Sequence, residues 1–221
     1  MKNPIKFFLL TLFIILLDQT VKLLVYRNMY IGENIPLLGD WLSIHYVLNP
    51  GMAFGMQLDH QYGKLILTTF RLVAMVVIAV YLIRLAKKGA PDGLLWCIAA
   101  ILAGAIGNVI DSTFYGVLLD NAPPDAPSPW FHGQVIDMIL INPWEGYFPD
   151  WLPVWGGQYY ANPVFNVADS SIFLGVVFIL LFQSRFFNEK PTDTTPELPT
   201  EPLSDEPVSP DEKAEEREQG A

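Results

Sequence analysis

The stretch FNVADSSIFLGVVFILLF, residues Phe165–Phe182, places one carboxylate at the start of a strongly apolar run. Asp169 is followed by two serines and then almost entirely by Ile, Phe, Leu and Val. A run of roughly 18 apolar residues spans the hydrocarbon core of a bilayer, which is about 30 Å thick. The stretch therefore predicts a membrane-spanning helix with an acid at one membrane boundary, where a charge is costly.

Three further apolar runs of similar length occur in the chain, and 52% of all residues are hydrophobic. A soluble chain of 221 residues would have too few polar residues to cover so much apolar helix. We therefore predict an all-α polytopic membrane protein with four transmembrane helices, over residues 4–26, 65–85, 93–114 and 167–187. The first run lacks a small-residue cleavage site, so we expect a retained anchor. Residues 1–187 would form one membrane domain.

Residues 188–221 differ in composition from the rest of the chain. They contain eleven acids and three bases, many prolines and no aromatic residue, and they carry most of the formal net charge of −10. Such a segment buries too little apolar surface to offset the entropy lost on ordering. We expect a disordered acidic tail on the cytoplasmic side.

The distribution of Lys and Arg predicts the orientation, because cytoplasmic loops are enriched in these residues. They occur before the first span, between the second and third spans, and after the fourth: Lys2, Lys6, Arg84, Lys87, Lys88, Arg185 and Lys190. None lies between Ser112 and Asp169. We therefore expect both termini to be cytoplasmic, and the longer connections, about 27–64 and 113–166, to face outside.

Polar residues at the span boundaries are the first candidates for function. In AGAIGNVIDS, Asn108 and Asp111 are three residues apart and share one helix face near the outer end of the third span. Asn166 and Asp169 repeat this spacing at the start of the fourth span. Small residues in the third span, including Gly104, would also allow close helix packing. Packing alone does not explain two Asn-x-x-Asp pairs at one depth, so we predict a shared polar site.

The first span carries Asp18 and Lys22 in LLDQTVKLLV. The two are four residues apart, with the acid N-terminal to the base, so they share one helix face. Two interpretations stay open. The pair neutralises itself within the membrane, or it orients a neighbouring polar site.

Two shorter segments predict a small outer β-sheet. WLSIHYVL, residues 41–48, alternates as a strand does and ends in Asn49-Pro-Gly51, a turn at which the glycine lets another backbone approach closely. GQVIDMILI, residues 133–141, places Asp137 in an apolar stretch too short to span a membrane. We expect a short strand or re-entrant segment that holds Asp137 near the outer ends of the third and fourth spans.

Asp111, Asp137 and Asp169 at one membrane boundary suggest a site based on shared protons. Two carboxylates about 3 Å apart cannot both ionise, so one holds a proton. The charged partner can accept a proton from water, and the protonated partner can polarise a peptide carbonyl. This chemistry needs no metal or cofactor. The histidines are scattered and form no zinc-protease motif. An acid-lined membrane carrier or channel remains the alternative.

In their order along the chain, DQTVK, NPGMAFG, GAIGNVIDS, VIDMI and FNVADSSI resemble motifs of the lipoprotein signal peptidases, the type II signal peptidases of bacteria. The resemblance covers about residues 4–187. It implies an aspartyl endopeptidase of the bacterial cytoplasmic (inner) membrane that cleaves diacylglyceryl-modified prolipoproteins before the lipidated cysteine. It implies these precursors and membrane lipids as partners, no nucleic acid and no cofactor. We expect a monomer with its active site near the outer face.

The resemblance implies Asp137 and Asp169 as the catalytic pair. It assigns support or substrate binding to the other polar motif positions and one glycine: Asn49, Gly51, Asn108, Asp111, Asn166, Asp18 and Lys22.

The chain departs from the family pattern in two respects. Ser112 stands where the family usually has Arg after Asp111. Arg71, in the second span, is a candidate substitute, but we expect it to extend to the membrane interface. Segments 113–136 and 142–165 are longer than the family pattern, and their aromatic residues suit the headgroup layer: Trp144, Trp151, Trp155, Tyr159 and Tyr160.

Overall fold

The computed structural model describes residues 2–51, 63–142, 146–154, 156–160 and 162–187. Its helices are α1 (Ile5–Asn28), α2 (Gly63–Lys87), α3 (Asp92–Ile110), α4 (Gly116–Leu118), α5 (Val167–Leu181) and α6 (Gln183–Phe187). A π-helical turn, Asp111–Tyr115, joins α3 to α4. The predicted tail, residues 188–221, lies outside the described residues, as do Trp144 and Trp155.

Among the residues that the structure describes, three helical segments are long and apolar enough to cross a membrane: α1, α2 and the continuous segment Asp92–Leu118 that contains α3. The fourth apolar helix, α5, has 15 residues. The predicted fourth span, residues 167–187, is divided at Phe182, which is the C-cap of α5 and precedes the short α6. The prediction of a polytopic helical membrane protein with a small sheet is confirmed.

Helix α3 lies at the centre of the bundle and contacts α1, α2 and α5. Its inner side chains, including Leu95 and Leu102, are fully buried. The outward faces of α1 and α2 are apolar and exposed, as expected for helices that face lipid. The small residues of α3 allow close contact with α5, because a Cβ atom at Gly104 would lie 2.2 Å from the carbonyl oxygen of Ala168.

Four strands form an antiparallel sheet in the order β1 (Asn34–Leu38), β2 (Leu42–Asn49), β3 (Val135–Ile141) and β6 (Val164–Phe165). Both predicted outer strands are therefore present, and they pair with each other. Val47 lies opposite Asp137, and Asn49 lies opposite Val135. This register brings the end of β2 beside the acid of β3. A separate two-stranded sheet pairs β4 (Gly146–Tyr147) with β5 (Tyr159–Tyr160).

The two ends of the bundle differ in chemistry. At one end, Lys2 and Lys6 both pair with Asp92 at the start of α3, the former at 2.5 Å. The ring of Phe186 in α6 also lies against Gly93. The N-terminus, the α2–α3 turn and the last helix therefore share this end. At the other end, the sheet packs on α1 and on the π-helical turn, where Val25 and Tyr115 join one apolar cluster with Ile136.

Candidate active site

Asp137 lies in the middle of β3, and its side chain is buried at 2% exposure. Both carboxylate oxygens accept hydrogen bonds from side-chain amides. Asn49 Nδ2 donates to Oδ2 at 2.9 Å, and Asn166 Nδ2 donates to Oδ1 at 2.6 Å. Burial raises the pKa of Asp137 to about 7, and the nearby charge of Asp169 adds to the rise. The group can therefore hold a proton near neutral pH.

Asp169 lies in the first turn of α5, at a half-buried position. Its position depends on Asn166, which is the N-cap of this helix and accepts a hydrogen bond from the Asp169 backbone N–H at 2.8 Å. Asn is among the preferred N-cap residues for this reason. Asn108 Nδ2 donates to Asp169 Oδ1 at 2.8 Å. The Asn-x-x-Asp motif of α5 thus combines a helix cap with a carboxylate.

The two asparagines link the two acids. Asn166 Nδ2, which contacts Asp137, lies 3.3 Å from Asn108 Oδ1, and the amide of Asn108 bonds Asp169. Asn108 Oδ1 also accepts a hydrogen bond from Lys22 Nζ at 3.3 Å. The predicted convergence of β3, α3 and α5 on one site is therefore observed.

Lys22 forms the centre of a buried charge cluster behind these acids. Its ammonium lies 2.8 Å from Asp18 Oδ2 and 2.7 Å from Asp111 Oδ2. Asp18 Oδ1 also accepts a hydrogen bond from the backbone N–H of Ala168 at 2.9 Å. The pair in α1 is both neutralised within the membrane and in contact with the polar site, so the two open interpretations hold together. Asp111 pairs with Lys22 and makes no hydrogen bond to Asp137 or Asp169 among the described residues. It therefore does not share the proton site of those two acids, and its position agrees with the supporting role that the resemblance implies.

The sequence reasoning missed three parts of this cluster. Gln19 Nε2 donates to Asp111 Oδ1 at 2.9 Å, and Tyr115 donates its hydroxyl proton to Gln19 Oε1 at 2.9 Å. The π-helical turn that starts at Asp111 was also not anticipated. Gln19 stands inside the DQTVK motif, next to Asp18, so its position was available as a signal. A π-helical turn has no comparable sequence signature, but such turns occur frequently at functional sites.

Arg71 does not extend to the membrane interface, and that expectation was wrong. Its guanidinium turns inward, where Nη1 donates to Ser112 Oγ at 3.1 Å and Nη2 donates to the carbonyl oxygen of Gly51 at 3.3 Å. Both acceptors belong to the predicted site region, since Ser112 follows Asp111 and Gly51 is itself a predicted site residue. The second span therefore contributes a cation to the site.

This arrangement is suited to acid–base chemistry. Asp137 is almost fully buried, whereas Asp169 is partly accessible, so the two carboxyls have different environments. Different environments separate the tendencies of two acids to hold a proton. A protonated Asp137 can donate to a carbonyl oxygen, and an ionised Asp169 can accept a proton from water.

Comparisons with known proteins agree on one family. The family model of signal peptidase II matches residues 10–185. A lipoprotein signal peptidase of Amoebophilus asiaticus is 48% identical over 184 residues, which cover 81% of this chain and 78% of the relative. A lipoprotein signal peptidase of Porphyromonas gingivalis is 40% identical over 188 residues, which cover 80% of this chain and 81% of the relative.

Two solved structures of bacterial membrane enzymes have a similar fold. One structure of a bacterial membrane enzyme superposes with a TM-score of 0.57 at 25% identity, over 85% of this chain and 93% of that one. A second bacterial membrane enzyme gives a TM-score of 0.54 at 26% identity, over 80% and 92% of the two chains.

Proposed function

The chain belongs to the signal peptidase II family, an aspartic-type group of hydrolases, and on this premise we propose that Asp137 and Asp169 are its catalytic pair. It is a multi-pass bacterial membrane protein that cleaves the signal peptides of lipoprotein precursors. The observation that carries the assignment of the pair is the continuous set of amide hydrogen bonds from Asp137 through Asn166 and Asn108 to Asp169.

In the proposed reaction, Asp169 accepts a proton from a water molecule while Asp137 donates its proton to the carbonyl oxygen of the scissile peptide bond. The water oxygen bonds to the carbonyl carbon, and a tetrahedral diol forms. Asp169 then donates the proton that it accepted to the amide nitrogen, while Asp137 takes back a proton from one hydroxyl of the diol. The C–N bond breaks, and a peptide with a new carboxyl group and a peptide with a new amino group are released. The division of roles is supported by the deeper burial of Asp137 and by its raised pKa.

The finer features of the substrate are also proposals. The precursor carries a diacylglyceryl group on the cysteine that follows the cleaved bond, and binding of this lipid contributes to selectivity. Each methylene group that enters an apolar environment contributes about 0.8 kcal/mol. That binding energy can offset the local unwinding of a helical signal peptide, whose carbonyls are otherwise hydrogen-bonded within the helix. The Asn49–Gly51 turn lies beside Asp137, and its proposed role is to contact the substrate backbone.

We further propose that the sheet end of the bundle faces outside and that both termini are cytoplasmic, in the inner membrane, with the protein acting as a monomer. The lysines at the N-terminal end, Lys2 and Lys6, support this orientation. Residues 1–187 would then form the peptidase domain, and 188–221 an acidic cytoplasmic tail.

The test is cleavage of a synthetic diacylglyceryl-modified precursor by purified protein in detergent. Asp137→Asn and Asp169→Asn should each reduce kcat at least about 1000-fold, and the double variant should be no worse, because the two carboxyls act as one unit. Asp40→Asn, at an exposed hairpin position, is the matched control and should retain full activity. Full activity in either single dyad variant contradicts the assignment.

The carrier or channel alternative has no support among the named relatives. It predicts solute or ion flux in proteoliposomes that is independent of peptide cleavage. An unlipidated precursor provides a second comparison in the cleavage assay. Equal rates for the lipidated and unlipidated precursors would contradict the proposed contribution of the lipid and leave the dyad assignment standing.

A further inference from the structure

Arg71 links two parts of the molecule that are distant in sequence. Its guanidinium bonds Ser112 Oγ at 3.1 Å with one nitrogen and the carbonyl oxygen of Gly51 at 3.3 Å with another. Ser112 is fully buried in the π-helical turn after α3, and Gly51 lies just beyond β2. The side chain of one α2 residue therefore connects the end of the sheet to the central helix.

Gly51 connects Arg71 to the proposed active site through hydrogen bonds. Its φ of +96° is unfavourable for residues with a Cβ atom, and its N–H donates to Asn49 Oδ1 at 2.8 Å. Asn49 Nδ2 donates in turn to Asp137 Oδ2 at 2.9 Å. The hydrogen bonds thus run without a break from Arg71 through Gly51 and Asn49 to Asp137.

The surroundings of the guanidinium fix its position. A Cβ atom at Gly51 would lie 3.2 Å from Arg71 Nη1 and 3.0 Å from Lys64 Nζ, so these two basic side chains of α2 lie against this glycine. The Arg71 charge also interacts with the charges of Asp169, Asp111 and Asp137. A guanidinium that only filled space at the membrane boundary would not need two directed hydrogen bonds in addition to these attractions.

We propose that Arg71 is a positioning residue for the reaction: it holds the Gly51 backbone against Ser112 and thereby keeps the amide of Asn49 on Asp137. The inference rests on the proposed function of the dyad. Lysine cannot replace arginine here, because a single ammonium lacks the planar fork that reaches both acceptors.

Three variants test the proposal with the synthetic lipidated precursor. Arg71→Gln and Arg71→Lys should each lower kcat about 10-fold or more, because the arginine positions Asn49 and, through it, the proposed proton donor Asp137. Loss of the Asn49 hydrogen bond also favours the protonated form of Asp137, so the alkaline limb of kcat should move to higher pH. Arg84→Gln, at an exposed position near the opposite end of α2, is the matched control and should change neither quantity.

The third variant exchanges the two side chains. Arg71→Ser with Ser112→Arg places a guanidinium on the other side of the same contact, within reach of Gly51, and should recover most of the lost kcat and the original pH profile. If Arg71→Gln does not fold, Ser112→Ala, which retains the arginine, should show a smaller change in the same direction.

Activity within about 2-fold of wild type in Arg71→Gln would overturn the proposal, and so would a loss of kcat with an unchanged alkaline limb. Failure of the dyad assignment is recognised separately, because Asp137→Asn would then remain active whatever the Arg71 variants do.

Discussion

The side chains of Asn108 and Asn166 come from different helices and are joined by one hydrogen bond, with Asn166 Nδ2 lying 3.3 Å from Asn108 Oδ1. Each also donates to one of the proposed catalytic acids, at 2.8 Å to Asp169 and 2.6 Å to Asp137. Neutral amides stabilise the ionised form of a carboxylate and add no charge of their own. They can therefore hold two acids at fixed positions without forcing both to ionise.

Asn166 has two separable roles, and two substitutions distinguish them. Asn166→Ser retains a side chain that caps α5 but lacks the amide that contacts Asp137. We expect it to retain most of its thermal stability in detergent and to lose at least about 10-fold in kcat. Asn166→Ala loses the cap as well and should be further destabilised by about 1 kcal/mol. Wild-type kcat in Asn166→Ser would contradict the role of the amide.

Lys22 neutralises two buried carboxylates, so its removal should first of all lower the stability of the folded protein. Lys22→Met leaves Asp18 and Asp111 buried without their shared cation, and breaking a buried pair in this way costs about 3–5 kcal/mol. We expect a large drop in Tm, which Asp111→Asn in the same chain should partly reverse. Lys88→Met, at an exposed position, is the control. Equal Tm values for Lys22→Met and wild type would show that the cluster does not stabilise the fold.

The sequence predicted the helices and the meeting of the polar motifs because the membrane limits the alternatives. A long apolar run must form a helix in lipid, and polar residues at its boundary must face other protein. Asn108, Asn166 and Asp169 could therefore be placed together from their spacing alone. The alternation before Asn49 predicted β2 for a similar reason, since one face of the strand packs on the protein.

Other features could not be predicted because they depend on contacts between distant segments. The direction of the Arg71 side chain depends on acceptors at Ser112 and Gly51, which no local pattern reveals. The pairing of Asp111 with Lys22 depends on how α1 is rotated against α3. An arginine in an apolar helix has the same local sequence whether it extends to the interface or turns inward.

The contact between α3 and α5 has no space for an added methyl group at Gly104. A Cβ atom there would lie 2.2 Å from the carbonyl oxygen of Ala168, which is backbone and cannot move without shifting α5. Gly104→Ala should therefore lower stability by about 1–3 kcal/mol and displace Asp169, with a loss of kcat. Gly89 is the control position, because an added Cβ atom there would have no atom within 4 Å. Its φ is +79°, a conformation that Asn tolerates better than Ala, so Gly89→Asn is the better control. Unchanged activity and Tm in Gly104→Ala would contradict the packing argument.

The raised pKa of Asp137 predicts two kinds of pH dependence. Burial and the charge of Asp169 raise this pKa to about 7, so kcat/KM should fall as the pH rises through that value and the carboxyl loses the proton that it donates. Asp40→Asn, at the exposed hairpin position, should retain this profile. A constant kcat/KM from about pH 6 to about pH 9, a range that includes the pKa of about 7, would exclude Asp137 as the proton donor.

The raised pKa of Asp137 also makes the free energy of unfolding depend on pH. An unfolded chain releases the Asp137 proton near a pKa of about 3.9, whereas the folded chain retains it to about 7. The folded state binds more protons between these values, so the free energy of unfolding should decrease as the pH rises through this window. Asp137→Asn has no proton to release, so its Tm in detergent should change less over the same range than that of wild type. Parallel Tm profiles for the two proteins would show that Asp137 is not protonated in the folded state, and the proton donor would then have to be sought in Asp169.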